Sequence, residues 1–147
     1  MFEQYLESVG ASSVIAERVN KLYGILTTII PAERVPHVFI SNVLDDERNL
    51  QWKSLWFYGP SYCSEFKDFQ WSQSFDGLSM SPVLRWEATV ENYDLVSAAS
   101  DSKLSLNWSL GGLAGTLSAV GTNCTHLVEL WRTLVLPNEG LAKSGAA

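Results

Sequence analysis

Residues 84–91 read LRWEATVE and residues 103–110 read KLSLNWSL, and in both stretches apolar and polar side chains alternate strictly. Successive side chains of a β-strand point to opposite faces, so each stretch predicts a strand with one apolar and one solvated face. Strands of this kind are typical of antiparallel sheets that cover a core on one side only. These two strands therefore decide the fold class, and the other segments are placed around them.

Helices are predicted before the sheet. Residues 2–9 carry apolar side chains at helical spacing, and Gly10 can end this first helix. A second helix is predicted between Ser12 and Pro31, because apolar side chains recur there at steps of four and three. This seam either packs on the chain's own sheet or joins two copies of the chain, and its members are Ile15, Val19, Leu22, Leu26 and Ile29.

The spacing of apolar residues changes from helical to alternating after Val35. Residues 38–44 and 50–58 predict a hairpin around the charged turn at residues 45–49, and Gly59-Pro60-Ser61 ends it. Residues 66–75 predict one further, less regular strand, and residues 116–120 a last short one.

The order of helices, about six strands and a final helix predicts an α+β fold. We expect one domain over residues 1–137, since a chain of 147 residues has the size of a single core. Residues 1–30 form its helical N-terminal segment, and residues 35–121 an antiparallel β-meander curled into a half-open barrel. Residues 122–136 form a C-terminal capping helix with a stripe of apolar side chains, and residues 138–147 a flexible tail.

Charge and hydropathy exclude several classes of partner. The formal charge is −6 and the pI is near 4.8, so nucleic acids and anionic membranes are not expected partners. The first residues lack the basic region and apolar core of a secretory signal, and no uncharged apolar run reaches the roughly 18 residues of a membrane span. We therefore predict a cytoplasmic protein in which Cys63 and Cys124 are reduced.

The sequence predicts no catalytic, cofactor-binding or metal-binding residues. A nucleophile needs a neighbouring base, and the only histidines are His37 and His126. Cys124 lies two positions from His126 near a predicted helix start, where a lowered thiol pKa is conceivable, but a small buried side chain is the favoured interpretation. Together with Cys63 these residues match no zinc-ligand spacing. Acid–base chemistry stays open as an alternative through convergent carboxylates: Glu65, Asp68, Asp76 and Asp94.

The C-terminal part resembles a known family. Residues 103–136 run strand, glycine-rich turn, strand and helix, and the helix LVELWRTL at residues 127–134 contains Trp131. This resembles the end of a bacterial pleckstrin-homology-like domain, in which the last helix closes one end of a bent antiparallel barrel and its Trp packs on the strands. The resemblance covers residues 35–136. The lipid-binding members carry basic residues in the first hairpin loop, whereas this loop is Asp45-Asp46-Glu47, so phosphoinositide binding is not implied.

We expect a non-catalytic protein-interaction module that forms a homodimer. The candidate surface joins the second face of the first hairpin to the helical seam, and comprises Lys53, Leu55, Phe57, Ile15, Val19, Leu22 and Leu26. One alternative is a small-ligand pocket protein or proton-transfer enzyme of a cone-shaped α+β fold. Another is an acidic chaperone or immunity-type protein that binds a basic partner. No cofactor is expected.

Overall fold

The computed structural model of this protein describes residues 2–41, 54–67, 70–76, 85–91, 103–110 and 113–135. Its helices are α1 (Glu3–Ser8), α2 (Ser13–Leu26) and α3 (Asn123–Leu130). A 3-10 turn lies at Ala32–Arg34, and a π-helical turn at Trp131–Val135 continues α3. The strands are β1 (His37–Ser41), β2 (Ser54–Tyr58), β3 (Tyr62–Lys67), β4 (Gln70–Asp76), β5 (Arg85–Glu91), β6 (Lys103–Leu110) and β7 (Leu113–Val120).

The strands form two antiparallel sheets in the order of the sequence. The first sheet is β1-β2-β3-β4 and the second is β5-β6-β7. Within each sheet every strand pairs with its neighbour along the chain, as short connections favour. The predicted α+β class with an antiparallel meander is therefore confirmed. Within the described residues the two sheets stay separate and do not close into one barrel.

The first three strands of the first sheet are buried on both faces, whereas most of β4 is exposed. In the β1–β2 hairpin Val38 pairs with Phe57 and Ile40 with Leu55, and every side chain of β2 is buried. One face packs against α1 and α2 in a helix-side core: Phe2, Tyr5, Leu6, Val9, Ile15, Val19, Tyr23, Leu26, Val35, Val38, Ile40, Leu55, Phe57, Tyr62 and Phe66. The other face packs against the second sheet and α3 in an inter-sheet core: Phe39, Trp56, Tyr58, Cys63, Phe75, Leu104, Leu106, Trp108, Leu117, Ala119, Cys124, Leu127, Leu130 and Leu134.

The N-terminal helices form where the spacing predicts them. Gly10 ends the first helical segment with a φ of 70°, a left-handed conformation that side chains with a Cβ rarely adopt. Ser12 caps α2, because its Oγ accepts a hydrogen bond from the Ile15 N–H at 3.3 Å. The inner face of α2 lies on the first sheet, so this sheet face is covered by the chain's own helices.

The prediction of one irregular strand over residues 66–75 is wrong. The chain turns back after Lys67, which pairs with Gln70, and forms the β3–β4 hairpin. The register shifts at Glu65 and Phe66, which breaks the regular alternation along β3. Polar residues fill most of β4, and this hid the second strand from a search for apolar alternation.

The second sheet and α3 complete the fold. In β6 the side chains of Leu104, Leu106 and Trp108 are buried while Lys103 and Asn107 are exposed, so the predicted one-sided strand is confirmed. Residues 85–91 also form a strand as predicted, but the alternation of their side chains lies outside what the structure describes. The apolar stripe of α3 packs into the inter-sheet core, and Trp131 packs against it half-buried.

Contacts from the ends of the chain join the two layers. The Ser118 N–H in β7 donates a hydrogen bond to Ser41 Oγ in β1 at 2.9 Å. Tyr5 Oη in α1 donates to Asn123 Oδ1 at 2.9 Å and accepts from the Ile40 N–H at 2.8 Å. Asn123 Nδ2 in turn donates to the Ile40 carbonyl at 2.9 Å. These side chains satisfy outward-facing backbone groups of the edge strand β1, which would otherwise be open to another strand.

Candidate functional site

The structure places most of the predicted surface residues inside the protein. Leu22 is half-buried and Lys53 lies outside the described residues. The others are buried in the helix-side core, where they contact one another: Ile15, Val19, Leu26, Leu55 and Phe57. This corrects the expectation of an exposed surface. Of the two interpretations of the seam, packing on the chain's own sheet is the one observed, because α2 supplies the cover that the second face of the hairpin requires.

The exposed apolar side chains lie instead on the outer face of α2. Four large apolar side chains are exposed in the described part of the chain, and three of them belong to α2 and the turn after it. Val14 is 58% exposed, Ile25 is 47% exposed and Ile29 is 66% exposed. At helical spacing these three side chains lie on the same face as Arg18, Lys21 and the half-buried Leu22. We call this set the α2 stripe, and it comprises Val14, Arg18, Lys21, Leu22, Ile25 and Ile29.

A groove of about 310 Å³ follows the α2 stripe. Among the described residues its lining consists of Arg18, Lys21, Leu22 and Ile25. Both charged residues of the lining are cations, in a chain whose formal charge is −6. The groove therefore combines apolar side chains with positive charge, and no carboxylate lies among its described lining residues.

The α2 stripe carries a signal in the sequence that the search for a seam does not use. Val14, Lys21 and Ile25 repeat with steps of seven and four, one position before Ile15, Leu22 and Leu26. Two neighbouring apolar faces on one helix exceed what a helix resting on a single sheet needs. Arg18 and Lys21 interrupt the outer face, so in the sequence this face looks like an ordinary solvated surface. Its apolar side chains become unexpected only once the structure shows that the inner face alone covers the sheet.

Glu65 is the buried carboxylate of the first sheet. Its Oε2 accepts a hydrogen bond from Trp56 Nε1 at 2.9 Å, and its Oε1 accepts from Gln73 Nε2 at 2.8 Å. Ser72 Oγ donates to the Glu65 backbone carbonyl at 3.0 Å and lies 3.3 Å from Oε1. Lys67 Nζ lies 3.9 Å from the same carboxylate oxygen. Both oxygens are therefore engaged, which stabilises the β2–β3–β4 arrangement rather than offering a proton acceptor to a substrate. Asp68 and Asp94 lie outside the described residues, as does the side chain of Asp76.

A serine and a histidine meet where α1 lies against α3. Ser8 Oγ lies 3.1 Å from His126 Nε2, and the His126 ring packs edge-on against Tyr5. The Ser8 hydroxyl also donates to the Tyr5 carbonyl at 2.7 Å, and a hydroxyl has one hydrogen. With that hydrogen given to the Tyr5 carbonyl in the shorter contact, the hydrogen of the 3.1 Å contact comes from His126 Nε2, which donates to Ser8 Oγ. This is the reverse of a general base activating a nucleophile, so the contact is a structural link.

Both thiols are unreactive in their surroundings. Cys63 and Cys124 are free and buried in the inter-sheet core. Burial raises the pKa of each thiol, which disfavours the nucleophilic thiolate. Cys124 Sγ instead contacts the Ala119 carbonyl oxygen at 3.5 Å. The lowered thiol pKa considered for Cys124 is therefore not observed. In the part of the chain that the structure describes, no three His, Cys, Asp or Glu side chains converge as metal ligands.

The aromatic side chains between the sheets are in close contact. The Trp108 ring lies 5.7 Å from Trp56 and 5.6 Å from Phe75, measured between centroids. A Cβ added at Gly115 would lie 2.8 Å from Trp108 Nε1. This region has no room for even one methyl group, so it gives no support to a ligand pocket at this point of the inter-sheet core.

None of the described helices is long and apolar enough to cross a membrane. Comparison with protein-family models, with curated proteins and with solved structures found no match. The assignment of a function therefore depends on the geometry of the chain itself, and the α2 stripe is the feature that its own fold leaves unexplained.

Proposed function

We propose that this chain is a protein-interaction module that self-associates through the α2 stripe. The observation that carries this proposal is the concentration of exposed apolar side chains on one helix. Val14, Ile25 and Ile29 expose large apolar groups along a single face, with a groove beside them. Single exposed apolar residues are ordinary on protein surfaces, whereas several large apolar side chains aligned on one face are typical of a contact site.

The position of α2 supports the same proposal. Its inner face is already buried on the first sheet, so the outer face has no further role in covering the core. An exposed helix of this kind usually carries charged or polar residues along its outer side. Here Val14 and Ile25 also occupy that side, and a partner would remove their apolar surface from water.

A second copy of the chain is the occupant that the charges favour. The chain as a whole is acidic, while the stripe carries Arg18 and Lys21 with Glu17 beside them. A contact between two identical surfaces is electrostatically complementary when both signs of charge lie on the same patch, and α2 supplies both. The formal charge of −6 on the chain as a whole disfavours binding to nucleic-acid phosphates, which is consistent with a protein partner.

The architecture also supports our proposal of a pleckstrin-homology-like fold. An antiparallel meander in two sheets is followed by a C-terminal helix, and Trp131 of that helical segment packs against the inter-sheet core. In this proposal α1 and α2 are additions to the family's pattern. The contact surface then lies on an addition rather than on the hairpin loops that lipid-binding members use.

The proposal is tested by measuring molar mass in solution as a function of protein concentration. We expect the wild type to approach the mass of a dimer as concentration rises, and Ile25→Glu to remain a monomer. Trp71→Glu is the matched control, because Trp71 is the other exposed large apolar side chain of the described residues and lies on β4. Circular dichroism establishes that each variant is folded. A wild type that stays monomeric, or an Ile25→Glu variant that associates like the wild type, would refute the proposal.

A further inference from the structure

We infer that two copies pair through antiparallel α2 helices about a twofold axis, so that Glu17 of each copy lies against Lys21 of the other. This inference rests on the self-association proposed above and adds its geometry. The observations that carry it are the arrangement of charges on the two edges of the α2 stripe and an unfilled position at Gly24.

The two edges of the stripe differ in chemistry. Residues four apart on a helix lie one above the other, so Glu17 and Lys21 share one edge, while Arg18 and Leu22 share the other. Glu17 and Lys21 are both exposed, and neither side chain forms an ion pair within the described part of the chain. When two such edges meet in antiparallel orientation, the acidic residue of each helix lies against the basic residue of the other.

In an antiparallel pairing about a twofold axis, each edge of one helix meets the same edge of the other helix, which runs in the opposite direction. With the axis beside Val19, position 17 of one helix faces position 21 of the other, and the same contact occurs twice. On the opposite edge Arg18 comes level with position 20 of the second copy, midway between its Arg18 and its Leu22, where the aliphatic stem can cover the Leu22 side chain. A parallel pairing instead places Lys21 against Lys21 and Arg18 against Arg18, which brings four cations to one seam and is repulsive.

Gly24 supplies an independent observation. A Cβ added there would meet nothing within 4 Å, so no neighbour inside the chain requires a glycine. Glycine in a helix costs about 1 kcal/mol relative to alanine. Gly24 lies on the Glu17 and Lys21 edge, and in the antiparallel pairing it faces Val14 of the second copy. A position without a side chain lets a second helix approach closely at that point.

The expected dimer is weak. The fourteen residues of α2 span about 21 Å, so one helix pair buries less surface than the roughly 1,600 Å² of a standard interface. We therefore expect exchange between monomer and dimer at micromolar concentrations. In a weak interface the two symmetry-related ion pairs supply a large share of the binding free energy. Changing them should therefore change the measured dissociation constant appreciably.

Charge exchange between positions 17 and 21 tests the geometry. Glu17→Lys and Lys21→Glu each place like charges across the interface twice, so each variant alone is expected to dimerise about tenfold more weakly than the wild type. An equimolar mixture of the two variants restores both attractive pairs and is expected to form heterodimers, which native mass spectrometry resolves. The double variant E17K/K21E is expected to dimerise like the wild type.

Weaker dimerisation of each single variant, together with a preference for the heterodimer in the mixture, is the deciding result, because a parallel pairing already faces like charges and predicts no such weakening. If the mixture shows no such preference while the wild type dimerises and Ile25→Glu does not, the antiparallel geometry is wrong and the proposed self-association stands. If Ile25→Glu dimerises like the wild type, the proposed function itself is wrong. Gly24→Val gives a second readout, because it is expected to weaken dimerisation at least as much as a single charge reversal while the circular dichroism spectrum of the monomer is retained. Unchanged dimerisation of Gly24→Val would contradict close approach at this position.

Discussion

Replacing Tyr5 by Phe removes one oxygen atom from the junction of α1, β1 and α3. The hydroxyl donates to Asn123 Oδ1 at 2.9 Å and accepts from the Ile40 N–H at 2.8 Å, and all three groups are buried. Burial raises the pKa of Tyr5, so the hydroxyl stays protonated over the ordinary pH range. Its loss leaves one buried donor and one buried acceptor without their partner.

The expected loss of stability follows from these two groups. Each unsatisfied buried group costs about 1–3 kcal/mol, so we expect Tyr5→Phe to lower the free energy of unfolding by about 3 kcal/mol. In a domain of this size that corresponds to a fall in Tm of roughly 10 °C. Tyr23→Phe is the matched control, because Tyr23 lies in the same core and its hydroxyl is buried without a hydrogen-bond partner in the described residues. Its removal is expected to leave stability unchanged or to raise it.

Urea unfolding followed by circular dichroism measures both variants under identical conditions. Both changes remove a phenol oxygen from the helix-side core, so the difference between their free energies of unfolding measures the hydrogen bonds of Tyr5 alone. If Tyr5→Phe and Tyr23→Phe unfold at the same urea concentration as the wild type, the Tyr5 network contributes nothing and the reasoning fails. If Tyr23→Phe is the more destabilised of the two, the assignment of the partners is wrong.

Three further changes test other parts of the fold. A Cβ at Gly59 would collide with the Arg34 carbonyl oxygen and lie 3.0 Å from its carbon, so Gly59→Ala should cost about 2 kcal/mol in urea unfolding. Glu65→Gln replaces one of the two carboxylate oxygens that accept from Trp56 Nε1 and Gln73 Nε2, so it should lower the free energy of unfolding by about 2 kcal/mol. Equal urea midpoints for the variant and the wild type would contradict this. Burial lowers the pKa of His126, against an opposing effect of Glu129, so the unfolded chain binds the proton more readily. Stability should fall as pH drops below about 6.5, and less steeply in His126→Gln.

Much of the fold follows from the period of the apolar residues. Strict alternation in residues 103–110 predicts a one-sided strand, and the structure has Leu104 and Leu106 buried beside an exposed Lys103. The α2 seam and its cap at Ser12 are also predicted, because helix spacing and capping are local properties of the chain. The β3–β4 hairpin could not be read in the same way, since its second strand is mostly polar and its register shifts at Glu65.

The candidate site depends on information that the sequence does not contain. In the sequence, the seam of α2 and the second face of β2 each look like an apolar surface that something must cover. In the structure these two surfaces pack against each other. Only after that pairing is known does the outer face of α2, with Val14 and Ile25, become the unexplained one. The Glu65 network is similar, because residues 56, 65 and 73 converge only through the pairing of three strands.

Hydrogen bonds between α1 and α3 join residues that are 118 positions apart in the chain. The polar contacts of α1 with α3 are therefore completed late in synthesis, because Asn123 and His126 must be made first. Until then α1 can rest only on its apolar contacts with α2 and β2, such as those of the Phe2 ring with Tyr23 and Phe57. Loop closure over 118 positions is slow, so the junction of α1 with α3 is completed after the helical cover of the first sheet has been synthesised.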